Sequence, residues 1–167
     1  EGGSRVSDEW DEYRRSKARE WLHEVRHTIS AMRALQNDLR AEKESYDMMK
    51  GIAYDSDGRG SGMLHGDDSI ASHIGRIADA VQKLTTLDVE YSDKVREARE
   101  TLNKLTCHPC ATEIMTDHYL VGWSWEKVAS ETGYSFKRIE QIYPVATLEC
   151  YSLMPIEYRE QLPRADD

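Results

Sequence analysis

The residues with the plainest capacity for chemistry are Cys107 and Cys110, two thiols separated by His108 and Pro109. Paired thiolates at this spacing bind zinc or exchange with a disulfide. A structural zinc site needs four ligands, and only His108, His118 and Cys150 lie nearby, with no second paired motif. The βαβ context of a thioredoxin-like motif is missing too. Cys107 and Cys110 are therefore weak metal candidates, best read as small residues in a turn, and neither a metal nor a cofactor is expected. Of the six histidines, at 23, 27, 65, 73, 108 and 118, His23 and His27 share a helix face but lack an HExxH pattern, so the set reads as solvated surface groups. Acidic neighbours such as Glu42 and Glu44 lie in a charge-rich helix without a pocket-forming fold. The chain reads as a protein without enzymatic chemistry.

A different kind of chemistry is written between Gly122 and Ala146, GWSWEKVASETGYSFKRIEQIYPVA. Ser124 is placed to cap a short helix carrying Val128 and Ala129, Gly133 sits where a tight turn needs positive φ, and Ser135 caps the next helix. Ile139, Ile142 and Ala146 then share one face. This is the spacing of a helix-turn-helix, which presents its second helix to a DNA groove. Candidate DNA contacts are Ser124, Trp125, Lys127, Ser135, Phe136, Lys137, Arg138 and Gln141. Of Trp123 and Trp125, the second is taken as the more exposed.

Charge works against a general DNA coat. The 167 residues carry a net charge of -9, and residues 107 to 150 hold three basic against six acidic side chains. Phosphate neutralisation dominates nucleic-acid affinity, so DNA binding here should be weak, salt-sensitive or assisted by a partner.

Two long helices must position this module. The first runs roughly from Asp8 to Lys50, where Trp21, Val25, Thr28, Met32, Leu35, Leu39, Glu42, Tyr46 and Met49 recur with the 4-3 spacing of a coiled-coil face, Thr28 and Glu42 being its defects. Residues 51 to 67 contain five glycines, too many for a stable helix at ~1 kcal/mol each, and read as a connector. The segment lacks the GK[ST] ending of a phosphate loop. Asp68 or Ser69 can cap a second helix, in which Ile70, Ile74, Ile77, Val81, Leu84, Asp88, Tyr91, Val95, Ala98, Leu102 and Leu105 repeat the 4-3 spacing. At about 1.5 Å per residue the two helices match in length and can pack antiparallel. A two-helix hairpin has little core, which favours a homo-oligomer formed through it.

The expected architecture is all-α: a tag remnant or disordered N-terminus over 1–7, a long antiparallel helical hairpin over 8–106, a helix-turn-helix domain over 107–154, and a polar tail over 155–167. Short helices are expected near 111–120, 124–132 and 135–143. No apolar run approaches the ~18 residues of a membrane helix, the mean hydropathy is -0.73, and no signal peptide is visible. A cytoplasmic protein with no membrane partner is the expectation.

The segment from Gly133 to Ala146 resembles the final motif of region four of sigma-70-type factors, approximately G-V-[ST]-R-E-R-I-R-Q-I-E-x-x-A. Gly133, Ser135, Arg138, Ile139, Gln141, Ile142 and Ala146 match. With the hairpin, the Gly51-Ile52-Ala53-Tyr54-Asp55 link and the YLVGWSWEKVASETGYS stretch, the chain is similar to small tailed-phage proteins of that type. The resemblance implies a transcriptional regulator that binds DNA with RNA polymerase as a further partner, in the cytoplasm of a host cell. The promoter-reading positions are here Phe136, Lys137, Glu140 and Gln141, of which only Gln141 keeps the family residue. Glu140 repels phosphates, which favours an alternative: a helical adaptor or packaging-associated protein using the motif for protein contacts. Pro144 is a further departure. It removes a backbone donor and crowds the carbonyl of Glu140, so the helix is expected to kink or stop at Tyr143.

Overall fold

A computed structural model describes the backbone of residues 3–55 and 63–159 and the side chains of residues 8–51 and 69–159. The elements are α1 (Gly3–Asp55), α2 (Met63–Leu102), α3 (Ala111–Thr116), a π-helical turn (Asp117–Val121), α4 (Trp125–Thr132), α5 (Phe136–Leu153) and a 3-10 turn (Ile156–Tyr158). Among the described residues all regular structure is helical. Two boundaries differ from the sequence reading. α1 begins at Gly3 and continues through Gly51, and α2 begins at Met63, so Asp68 and Ser69 lie inside it rather than capping it. Once a helix is nucleated each further residue gains a hydrogen bond, so isolated glycines weaken it without ending it. The centre of the expected connector, 56–62, and the tail from 160 onward lie outside the described residues.

The chain divides into two compact units, one comprising Glu1–Ile29 with Ser92–Asp167 and the other Ser30–Tyr91. The boundary drawn at Cys107 from the break at Pro109 is thus not where the units part. Short helices cannot bury their own apolar faces, and α1 supplies what they lack. Ala18, Trp21, Leu22, Val25 and Ile29 are buried, as are Ala98 and Leu102 of α2, Ile114 and Met115 of α3, Tyr119, Val128 of α4, and Ile139, Ile142, Ala146 and Cys150 of α5. On α1 these positions form the broad stripe of a globular core, wider than the narrow seam expected from Trp21, Val25 and Thr28 alone. Thr28 is buried at no polar cost, its hydroxyl donating to the Glu24 carbonyl at 3.0 Å. Lys94 of α2 pairs with Glu24 of α1 at 2.6 Å. The start of the presumed tail belongs to this core as well: Tyr158 packs on Trp21, and Arg159 caps the end of α5 by donating to the Met154 carbonyl.

In the second unit α1 and α2 run antiparallel, Glu42 facing His73 and Met49 facing Ser69. The inward positions of α2 are Ile70, His73, Ile77, Ala80, Leu84, Leu87 and Tyr91, all half-buried. This corrects the expected seam, because Ile74 and Val81 are 52% and 44% exposed and Asp88 faces solvent. The two patterns share Ile70, Ile77, Leu84 and Tyr91 and differ by one position in between. Glu42 provides a reason for the observed phase. Its carboxylate meets His73 Nδ1 at 2.7 Å and Arg76 Nε at 3.0 Å, and the His73 hydrogen bond, with Arg76, holds its pKa below the ordinary carboxylate range. What looked like a seam defect is an interhelical ion pair.

Candidate nucleic-acid interface

The segment from Gly122 to Leu153 is organised by short-range rules. Gly122, at φ 90°, ends the π-helical turn in the left-handed region. Ser124 then caps α4, its hydroxyl accepting from Lys127 N at 3.2 Å. Gly133, at φ 73°, closes α4 with its N–H on the Ala129 carbonyl, and Ser135 caps α5 by accepting from Arg138 N at 3.2 Å. An added Cβ at Gly133 would meet nothing within 4 Å, so glycine is needed there for its backbone angle rather than for space. On α5, Ile139 and Ile142 point into the core while Phe136, Lys137, Arg138, Glu140 and Gln141 are exposed, Phe136 at 46%. The missing donor allowed a stop at Pro144, but α5 does not stop there: it is helical from Phe136 to Leu153. The buried residues Ala146, Thr147 and Cys150 anchor the turns beyond the proline, which outweighs the lost hydrogen bond to Glu140. The Thr147 hydroxyl also donates to the Tyr143 carbonyl at 2.6 Å.

The candidate residues do not converge on one surface of bare cations. Lys127 is exposed, but its Nζ sits 4.8 Å over the Trp123 ring. Ser124 and Ser135 are occupied as caps. Lys137 and Gln141 stand four residues apart on one exposed helix line, with Glu140 beside them. Arg138 is turned toward the turn before α3, where its Nη2 lies 2.6 Å from His108 Nε2. Trp123 and Trp125 are both half-buried, and Trp125 is packed between aromatic rings. It stacks on His118 with centroids 3.7 Å apart and meets Tyr143 edge-on at 5.0 Å.

His118 also departs from the expectation that the histidines are solvated, since it is 6% exposed. Its Nε2 accepts from Arg26 at 2.9 Å, and its Nδ1 donates to the Trp123 carbonyl at 2.8 Å. Arg26 also donates to the Gly122 carbonyl at 3.2 Å. Both ring nitrogens are thereby satisfied in one neutral tautomer. Burial and then the Arg26 charge push the His118 pKa down to about 4, against the hydrogen bond to Trp123. The result is a polar clasp that ties the entry of α4 to α1. Below it Tyr119 and Tyr143 join their hydroxyls at 2.9 Å.

The Cys107-x-x-Cys110 turn is held by a residue that sequence reasoning passed over. Glu149 of α5 accepts from Thr106 N at 3.0 Å, Thr106 Oγ1 at 2.6 Å and Cys107 N at 2.8 Å. Partial burial pushes the Glu149 pKa up, but the bonds from Thr106 and Cys107 outweigh it and hold it down at about 2. Burial and that carboxylate raise the Cys107 thiol to about 11, far from a reactive thiolate. Cys110 donates its Sγ–H to the Tyr134 hydroxyl, and burial raises Cys150 to about 12. Among the described residues no group of three or more His, Cys, Asp or Glu side chains is placed to hold a metal ion, and no described helix is long and apolar enough to cross a membrane. No signal within the motif pointed to Arg26 or Glu149, whose partners lie far away in sequence, or to the burial of His118. No family model matches the chain, and no curated protein or solved structure matches it.

Proposed function

We propose that α4, the Gly133 turn and α5 act as a helix-turn-helix that docks the first two turns of α5 against DNA, making the chain a transcriptional regulator of sigma-region-four type. The observation that carries this reading is the segregation along α5. Ile139 and Ile142 are buried, while Phe136, Lys137, Glu140 and Gln141 stand exposed on the turns that a groove would receive. Gln141 has the amide geometry to pair with adenine, and Lys137 can meet guanine or phosphate. Glu140 and the net acidity of the region keep such binding weak, so RNA polymerase is the natural source of assistance. The test is binding of the full chain to duplex DNA across a salt series. Binding that weakens with salt, and weakens further in Lys137→Ala with the salt slope reduced by about one, supports the reading. Absence of any binding at low salt rejects it.

A second reading, a helical adaptor that uses this surface for protein contacts, is favoured by the exposed apolar side chains Phe136 and Val145, 46% and 53% accessible on α5. Loss of polymerase binding in Phe136→Ala, in a chain that never shifts DNA, selects this alternative.

A further inference from the structure

Arg138 matches the sigma-type motif, yet its guanidinium does not lie along the Lys137–Gln141 line. It is turned toward the Cys107-His108-Pro109-Cys110 turn, with Nη2 2.6 Å from His108 Nε2. The backbone N–H of Cys110 points at the other ring nitrogen, Nδ1, at 3.2 Å. A neutral imidazole has one acceptor lone pair, so these two donors compete. The charged donor at the shorter distance takes it, because a charge-assisted bond is about twice as strong as a neutral one. His108 therefore holds Arg138 through Nε2, across 30 residues of sequence.

The chemistry of that hold matters. A carboxylate in the same place would neutralise the guanidinium and remove it from phosphate binding. Glu149 of α5, which reaches this turn, is committed to Thr106 and Cys107. An imidazole lone pair orders the arginine and leaves its charge intact. A guanidinium has five N–H donors, and a long side chain that is already ordered loses less freedom when it meets an anion. Its position beside the first turn of α5, off the line of the exposed Lys137 and Gln141, places it where a helix docked in a groove is flanked by the nucleic-acid backbone.

We propose that His108 is a positioning residue that presents Arg138 to a backbone phosphate, so that the turn before α3 forms part of the DNA site. The proposal rests on the DNA reading above. It assigns Arg138 to affinity and not to sequence choice.

The experiment is the affinity of the full chain for a short duplex DNA across a salt series, with a thermal melt for each variant. Arg138→Ala lowers affinity about tenfold, equally on different sequences, and reduces the salt slope by about one. His108→Ala lowers affinity about 3- to 10-fold by releasing the side chain, and His108→Asn, too short to reach Arg138, does the same. His108→Gln, which can still accept from the guanidinium, restores most of the loss. The double variant H108A/R138A binds no worse than R138A alone, as required if His108 acts through Arg138. An unchanged affinity in both His108→Ala and His108→Asn, or a double variant weaker by the product of the two losses, overturns this inference while leaving the DNA reading intact. A wild-type chain that binds no DNA at any salt overturns both.

Discussion

The imidazole of His118 lies on the indole of Trp125, with ring centroids 3.7 Å apart and planes 11° from parallel. Because Arg26 donates to one ring nitrogen and the other donates to the Trp123 carbonyl, the stack joins α1 to the start of α4. The first helix is therefore more than a handle for the C-terminal helices. It supplies part of their core and the polar clasp at their entry.

Acid should loosen this clasp over a defined window. The His118 pKa is depressed from its ordinary 6.5 to about 4, so the unfolded chain takes up a proton that the folded chain refuses. The stabilisation is complete above pH 6.5 and declines as pH falls to 4, by on the order of 2 to 3 kcal/mol. Urea midpoints measured across that range should fall in the wild type. His118→Gln should be less stable at neutral pH but should lack this part of the slope. An equal slope in both proteins would remove His118 as its cause.

Glu149 governs a lower window. Its pKa is held at about 2 against an ordinary 4.5, so its contribution is present above pH 4.5 and disappears as pH falls toward 2. Glu149→Gln should cost on the order of 2 kcal/mol at neutral pH, since charge-assisted bonds to two backbone N–H groups and a hydroxyl are weakened. Denaturation of both proteins at neutral pH and near pH 2 checks this, the difference shrinking in acid. Amide exchange at Thr106 and Cys107 should quicken in the variant.

Pro144 sits inside a continuous helix and leaves the Glu140 carbonyl without its helical donor. Pro144→Ala should raise stability by roughly 1 to 3 kcal/mol. Thermal and urea unfolding measure it. A loss of stability instead would mean that the half-buried ring packs to greater advantage than the restored hydrogen bond.

The residues that punctuate the C-terminal helices were legible in the sequence. Ser124, Gly133 and Ser135 act on backbone groups within four residues of themselves, so their roles follow from local rules. The same holds for the Ile139, Ile142 and Ala146 stripe, whose spacing alone puts it on one face. Pro144 shows the limit of such rules, because the local penalty was read correctly and the burial that overrides it was not visible.

Sequence by itself thus determined that the chain is helical, where α4 and α5 begin, and which face of α5 turns inward. Tertiary structure alone decided which of two adjacent heptad phases of α2 faces α1, since both share Ile70, Ile77, Leu84 and Tyr91 and the choice rests on partners such as Glu42 across the seam. It also decided that Arg26 clasps His118, that Glu149 caps Thr106 and Cys107, and that His108 holds Arg138. The physical reason is range. Helix periods and caps are set by neighbours a turn away, whereas these polar contacts join residues 92, 42 and 30 positions apart, where no spacing rule operates and only the packed fold brings donor to acceptor.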